Sequence, residues 1–192
     1  MKLIIEETQN LRPFIQKIVS TYPQAEEILN EIIKVIENSG CQKIEFAKFK
    51  FAALGAALHN GVMINVTAIH SGLDFLLYVI FHELAHQYQF KKYGAKVVYK
   101  IFTNEVNLKE GAKIMKQIED VAEEFAVRKV REFQTKGLIS KSFRPRKYYE
   151  NLPIQAFESQ LNMLRQDLIK DGITNPEAIS IYMYNKIKSD VQ

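Results

Sequence analysis

The segment FHELAHQYQF, residues 81–90, contains two of the four histidines of this 192-residue chain. His82 and His86 are four residues apart, so on a helix they point to nearly the same side, about 40° apart in rotation and about 6 Å apart along the axis. Their imidazoles could therefore bind one metal ion. Glu83 is rotated by about 100° from His82 on such a helix, so its carboxylate can act on a water molecule without taking a ligand position.

The segment around the histidines is apolar on nearly every side of the predicted helix. Apolar side chains lie opposite the histidines and on both flanks: Leu73, Phe75, Leu77, Tyr78, Val79, Ile80 and Leu84. Such a helix is buried. Buried imidazoles and carboxylates need partners, because an unpaired buried carboxylate costs several kcal/mol. A metal ion would satisfy them, whereas the alternative is a pair of histidines that only form hydrogen bonds in the core.

A catalytic zinc site needs a third protein ligand and an open position, and the acidic segment IEDVAEEFA is the main source of candidates. Glu119 and Glu123 share a helix face with small apolar residues, whereas Asp120 and Glu124 lie beside lysines and arginines on a solvated face. Alanines near Glu119 would let the two helices approach, so we predict Glu119 as the third ligand. Glu123, one turn later, is expected to accept the ring N–H of a ligand histidine. Other candidates are His59, His70 and Glu158, and the alternative is an ordinary amphipathic helix with acids at its boundary.

HELAH followed by E-x-x-A-E-x-F-A at residues 119–126 resembles the gluzincin arrangement of small zinc metallopeptidases, and is closest in pattern to ImmA/IrrE-type proteins. The resemblance covers roughly residues 22–130. It implies a zincin-like fold and Zn²⁺ as the cofactor, with His82, His86 and Glu119 as ligands. It also implies that Glu83 is the catalytic acid/base in peptide-bond hydrolysis by a metal-activated water. In that family Asp or Asn usually stands where this chain has Glu123, and SprT-type proteases require a histidine downstream of His86 that is missing here.

The elements before the motif predict an α+β fold that is mostly helical, with a small antiparallel sheet preceding the zinc-binding helix. Thr21 and Gln24 indicate the capped start of a helix that ends at Gly40. Two strands are predicted around the tight-turn dipeptide Asn60-Gly61. Ser71, followed three residues later by Asp74, resembles a capping box for the histidine helix, which is expected to end at residue 94.

The elements after the motif are all predicted to be helices. Asn107 with Glu110 starts a helix that continues towards Gly137, and two more helices are expected over residues 153–170 and 176–188. We predict one zincin-like domain over residues 1–192, with a core at about 22–136 and a helical extension at about 137–192.

Composition limits the partners and the location. Lys and Arg number 26 against 22 Asp and Glu, a net charge of +4, and the basic segments RKVREF and KSFRPRK are interpreted as a solvated helix face and a loop. We therefore expect a peptide or protein substrate and do not expect nucleic acid as the main partner. Cys41 has no second cysteine to pair with, and no long apolar run or signal-peptide core occurs. These features predict a soluble cytoplasmic protein without a membrane partner.

The sequence also indicates residues that are expected to bind the substrate. The strand at 62–67 is expected to offer an edge to an extended substrate. Tyr148, Tyr149 and Arg146 belong to a segment that could fold over the cleft and supply an oxyanion donor. The alternative function is a zincin-like regulatory module that binds a protein partner, either repressor-directed or catalytically inactive.

Overall fold

A computed structural model describes residues 12–49, 53–58, 61–173 and 175–188. The first half contains α1 (Arg12–Thr21), α2 (Ala25–Ser39), β1 (Lys43–Ala47), β2 (Gly55–Leu58), β3 (Gly61–Asn65), α3 (Thr67–His70) and α4 (Leu73–Tyr93). The second half contains α5 (Ala95–Tyr99), a 3₁₀ turn (Lys100–Phe102), α6 (Leu108–Thr135), α7 (Ile154–Lys170) and α8 (Pro176–Lys188). The predicted α+β class, mostly helical with a small sheet, is confirmed.

The three strands form a sheet in the order β1-β3-β2. β2 and β3 are antiparallel with Leu58 opposite Gly61, as the predicted hairpin requires, while the turn residues His59 and Asn60 lie outside the described residues. β1 pairs with the other side of β3 in parallel, with Lys43 opposite Gly61. The predicted antiparallel sheet is therefore wrong in one respect: the sheet is mixed, because the chain passes through β2 before it returns along β3.

β3 is the central strand, and this position contradicts the expectation that it offers an edge to substrate. Both of its sides are paired, and all five of its residues, Gly61–Asn65, are buried. Among the described residues, β1 and β2 each have one side that no strand covers, and β2 is the edge strand that packs against the histidine helix. Any added strand near the histidine helix would therefore have to pair with β2.

The histidine helix α4 lies at the centre of the core, with α6, α2 and the sheet packed around it. Leu76, Leu77, Phe81 and Leu84 are fully buried, in agreement with the burial predicted from the apolar sequence around the motif. Each such side chain contributes about 1.5–3 kcal/mol when it is removed from water. This packing fixes the rotation of α4 and therefore the direction in which His82 and His86 point.

Several helix ends agree with the sequence signals. α2 ends at Gly40, whose φ of 79° lies in the left-handed region that glycine adopts without strain. α4 stops before Gly94, and the side chain of Asn107 accepts the backbone N–H of Glu110 at 2.9 Å at the start of α6. The helices predicted at 153–170 and 176–188 are also confirmed as α7 and α8.

Two predicted caps are wrong. Thr21 is the last residue of α1. Gln24 occupies the N-cap position of α2, but its side chain forms no capping hydrogen bond. Ser71 does not cap α4, which begins after Gly72. The Asp74 carboxylate instead accepts the hydroxyl of Tyr22, so a tertiary contact replaces the local capping box.

The two C-terminal helices pack on the elements described above. α7 lies along α6, and α8 contacts α5 and β2. Gly111 allows the close approach of α7, because a Cβ at this position would lie 2.8 Å from Leu161 Cδ2. The buried Arg165 of α7 donates to the carbonyl of Ile101 at 2.5 and 3.1 Å. In the part of the chain that the structure describes, no helix combines the length and apolarity needed to cross a membrane.

Candidate metal centre

Three side chains from two helices meet at one point. His82 and His86 of α4 bring their Nε2 atoms to 3.2 Å from each other. Glu119 of α6 places Oε2 at 3.2 Å from the Nε2 of His82 and at 3.7 Å from that of His86. Ligand atoms bound tetrahedrally at about 2.0–2.2 Å from zinc lie about 3.3–3.6 Å apart, so this triangle has the size of one face of a zinc site.

Gln89 sets the proton position on one of the two imidazoles. Its amide nitrogen donates to the carbonyl of Ile118 at 3.0 Å, which fixes the orientation of the amide. Its Oε1 then lies 2.9 Å from Nδ1 of His86 and can only accept, so Nδ1 carries the proton. Once Nε2 has lost its proton, this ring orientation presents the Nε2 lone pair towards His82 and Glu119, as a metal ligand must.

The surroundings of the Glu119 carboxylate show whether the cluster suits a cation. Its Oε2 is closed off from solvent and makes no hydrogen bond of good geometry to any described residue, although a buried carboxylate oxygen is costly without a partner. Burial raises the pKa of Glu119, but the two histidines more than offset this and lower it overall. Burial lowers the pKa of His86, but Glu119 more than offsets this and raises it to about 9. The centre thus attracts positive charge, and two nitrogens with one oxygen form a donor set that suits zinc.

Glu83 lies next to the ligand candidates on α4 and is 7% exposed. Burial raises the pKa of its carboxyl, and the neighbouring His82 and His86 offset part of the rise. A raised pKa suits a group that must both accept and return a proton near neutral pH. Gly55 of β2 makes room for this side chain, because a Cβ there would lie 2.5 Å from Glu83 Oε1.

A cleft with a volume of about 300 Å³ opens beside His82 and Glu83. Its other walls come from β2 with the residues before it, from the first turns of α4, from α6 and from the segment before α7: Ala53, Leu54, Gly55, Phe75, Tyr78, Val79, Glu123, Tyr148, Tyr149 and Leu152. The expectation that the segment with Tyr148 and Tyr149 folds over the cleft agrees with this arrangement. We call residues 148–152 the roof. Arg146 does not line the cleft and faces a neighbouring groove.

Tyr149 is the roof residue whose ring packs near a ligand candidate. Its centroid lies 6.0 Å from that of His82. Burial raises the pKa of Tyr149, and the negative charges of Glu119 and Glu83 raise it further. Its hydroxyl therefore stays protonated at neutral pH and can donate a hydrogen bond into the cleft.

Glu123 does not have the role that the sequence suggested. It is fully buried, and its carboxylate accepts the backbone N–H groups of Tyr148 and Tyr149, the latter at 3.0 Å to each oxygen, while the Tyr78 hydroxyl donates at 3.4 Å. α4 and α6 run in opposite directions here. Glu123, one turn after Glu119 on α6, therefore lies opposite Tyr78, one turn before His82 on α4, and not opposite a histidine. Glu123 therefore holds the roof in place.

Two of the remaining ligand candidates do not belong to this centre. His70 ends α3, and Glu158 lies on α7; neither belongs to the group around Glu119. His59 lies outside the described residues. The sequence reasoning missed Gln89, although its position three residues after His86 on one helix face was the available signal.

Comparisons with family models, with curated protein sequences and with solved structures give no match for this chain. The resemblance in the two motifs is therefore not extended by any wider similarity.

Proposed function

We propose that this protein is a zinc-dependent metallopeptidase with a zincin-like core. The observation that carries the proposal is the triangle formed by His82, His86 and Glu119, with Glu83 beside it at the wall of a cleft. Bound zinc lowers the pKa of a coordinated water to about 7 and polarises a carbonyl. The peptide or protein substrate, and a cytoplasmic location consistent with the single buried thiol of Cys41, are parts of the same proposal.

The chain's own residues supply the remaining chemistry. Glu83 accepts the proton of the attacking water and delivers it to the leaving amine, and its buried position keeps the carboxyl pKa high enough for both steps. Tyr149 donates a hydrogen bond to the carbonyl oxygen as negative charge develops on it. Gln89 holds the His86 ring in the tautomer that presents Nε2.

An extended substrate would pair with β2. The outer side of this strand is not covered by another described strand, and its first residue, Gly55, packs against Glu83. Backbone hydrogen bonds to β2 would place a peptide bond next to the general base, while the cleft beneath the roof would accept a side chain. This placement replaces the earlier expectation for β3.

A regulatory binding module is the second candidate, and the roof favours it. Buried hydrogen bonds to Glu123 hold Tyr148 and Tyr149 against the cleft and restrict access for a long substrate. A protein that recognises a partner through the same cleft would need the shape of the site and not the proton transfer of Glu83.

Metal analysis tests the centre without depending on turnover. Purified protein is expected to bind one zinc per chain, and Glu119→Ala is expected to lose most of it. Glu124→Ala is the matched control, because Glu124 is exposed on the same helix and outside the ligand group. Full zinc retention in Glu119→Ala would refute the proposed ligand set.

A second experiment separates the enzyme from the binding module. Zinc-loaded protein and Glu83→Gln are incubated with a mixture of unstructured peptides, and new termini are detected by mass spectrometry. The enzyme predicts cleavage that Glu83→Gln lowers by at least about a hundredfold while zinc is retained. Absence of cleavage by the zinc-loaded protein would favour the module.

A further inference from the structure

A second concave surface lies behind the roof, between the C-terminal half of α6 and residues 145–151. Its volume is about 1000 Å³. Five basic side chains line it: Arg128, Arg131, Lys136, Arg146 and Lys147. We call this surface the basic groove. Neither the metal centre nor the proposed proton transfer uses any of these residues.

Both lysines of the groove, and two of its three glutamates, form ion pairs that neutralise their charges. These pairs are Lys136–Glu31 at 2.5 Å, Lys147–Glu150 at 3.7 Å and Lys129–Glu132 at 2.6 Å. Arg128, Arg131 and Arg146 are exposed, and none of them forms an ion pair with another described residue. Against these three guanidinium groups the groove offers one carboxylate without an ion pair to a described residue, that of Glu124.

The guanidinium groups indicate the chemistry of the ligand. Arginine binds carboxylates and phosphates through two parallel hydrogen bonds, and its weak hydration favours use at interfaces. The carboxylates of Glu124, Glu132 and Glu150 also line the groove and would repel the evenly spaced phosphates of a nucleic acid. A peptide can avoid them, because it can place its acids at the arginines and its apolar side chains on Val127 and Pro145.

We propose that the basic groove is a docking site for an acidic segment of a protein partner. The groove and the cleft share one wall. Pro145, Lys147 and Asn151 face the groove, whereas the intervening Tyr148 and Tyr149 face the cleft. A segment docked in the groove would therefore lie directly behind the roof. The inference concerns binding and does not require peptide hydrolysis, so the two proposals can fail separately.

Fluorescence anisotropy provides the test. A fluorescein-labelled peptide rich in Glu and Asp is titrated with the full chain, beside a peptide in which every acid is replaced by its amide. The acidic peptide is expected to bind at least ten times more tightly, and its affinity is expected to fall as salt rises from 50 to 200 mM.

Charge reversal locates the site. The double variant Arg131→Glu/Arg146→Glu is expected to weaken binding of the acidic peptide at least about tenfold. The control is Lys109→Glu/Lys113→Glu, which changes the net charge equally at exposed positions at the other end of α6, and is expected to change affinity less than about threefold. Circular dichroism confirms that both variants are folded, and Arg131→Gln/Arg146→Gln repeats the test if charge reversal disturbs the fold.

Three results would overturn the proposal. Equal affinity for the acidic and amide peptides would show that the groove does not select carboxylates. Equal losses in the groove and control variants would indicate a nonspecific effect of net charge. Tighter binding of a single-stranded DNA of the same charge, with the same sensitivity to the arginine variants, would assign the surface to nucleic acid.

Discussion

The most direct test of the roof is Glu123→Gln, a change that removes one charge and keeps the side-chain shape. The carboxylate accepts two backbone N–H groups, from Tyr148 and Tyr149, and the Tyr149 N–H lies 3.0 Å from each of its oxygens. A glutamine retains only one acceptor oxygen. With that oxygen at the Oε1 position, the N–H groups of Tyr148 and Tyr149 keep one neutral acceptor, while the NH₂ group replaces the second acceptor of the Tyr149 N–H with a donor.

The expected loss of stability follows from this geometry. Hydrogen bonds to a charged group contribute about 1.5–3 kcal/mol and neutral ones about 0.5–1.5 kcal/mol, so two weakened N–H bonds cost about 2 kcal/mol together. The approach of the glutamine NH₂ group to the Tyr149 N–H adds to this cost, whereas the removal of a buried charge offsets a similar part of it. We therefore expect Glu123→Gln to lower the free energy of unfolding by about 2 kcal/mol.

Urea unfolding followed by far-ultraviolet circular dichroism measures this difference. With a slope of about 2 kcal/mol per M, the midpoint is expected to fall by about 1 M. Glu124→Gln is the matched control, since Glu124 is exposed one residue further along α6, and should change stability by less than about 0.5 kcal/mol. Amide exchange of the peptide containing Tyr148 and Tyr149 should also accelerate in Glu123→Gln alone. Equal midpoints for the two variants would refute the role assigned to Glu123.

Three further predictions concern other parts of the molecule. Gly55→Ala is expected to displace the Glu83 carboxylate, because the new Cβ would lie 2.5 Å from it. The proposed peptidase activity should then fall about a hundredfold while the proposed zinc binding is unchanged, and unchanged activity in a steady-state assay would contradict this geometry. Burial raises the pKa of Cys41 to about 11, so its thiol should react with a disulfide reagent at pH 8 roughly a hundred times more slowly in the folded protein than in urea. The same shift stabilises the fold fully below pH 9, and this contribution is lost between about pH 9 and 11. Burial lowers the pKa of His86, but Glu119 more than offsets this and raises it to about 9, so zinc would have to displace a proton from this ring. Calorimetry in two buffers of different ionisation enthalpy should therefore show proton release when zinc binds at pH 7. Zinc should also bind more tightly as the pH rises towards 9.

The sequence predicted the elements whose signals are local. The apolar residues around His82 predicted a buried helix, and Asn107 with Glu110 predicted the start of α6, because helical periodicity and side-chain caps depend on residues three or four apart. The same spacing predicted that His82 and His86 point together. It also predicted that Glu119 faces inwards, since its helix neighbours on that side are small and apolar.

The errors concern contacts between distant segments. Asp74 has the spacing of a capping box with Ser71, but the hydroxyl of Tyr22, 52 residues away, binds the carboxylate instead. β1 pairs in parallel with the side of β3 that β2 leaves uncovered. The alternation of residues within one strand does not show which strand it pairs with or in which direction. Glu123 was assigned to a histidine because the direction of α6 relative to α4 cannot be read from either helix alone.

The roof is held in place by its main-chain N–H groups, whereas its side chains are the groups that face the cleft. Every amino acid except proline supplies the N–H group that Glu123 accepts, so positions 148 and 149 can change identity while the backbone stays in place. The side chains at these two positions determine the shape and polarity of the cavity ceiling. A library randomised at position 148, with Tyr149 kept as the proposed oxyanion donor, is thus a practical route to altered selectivity, with proline as the one replacement to omit.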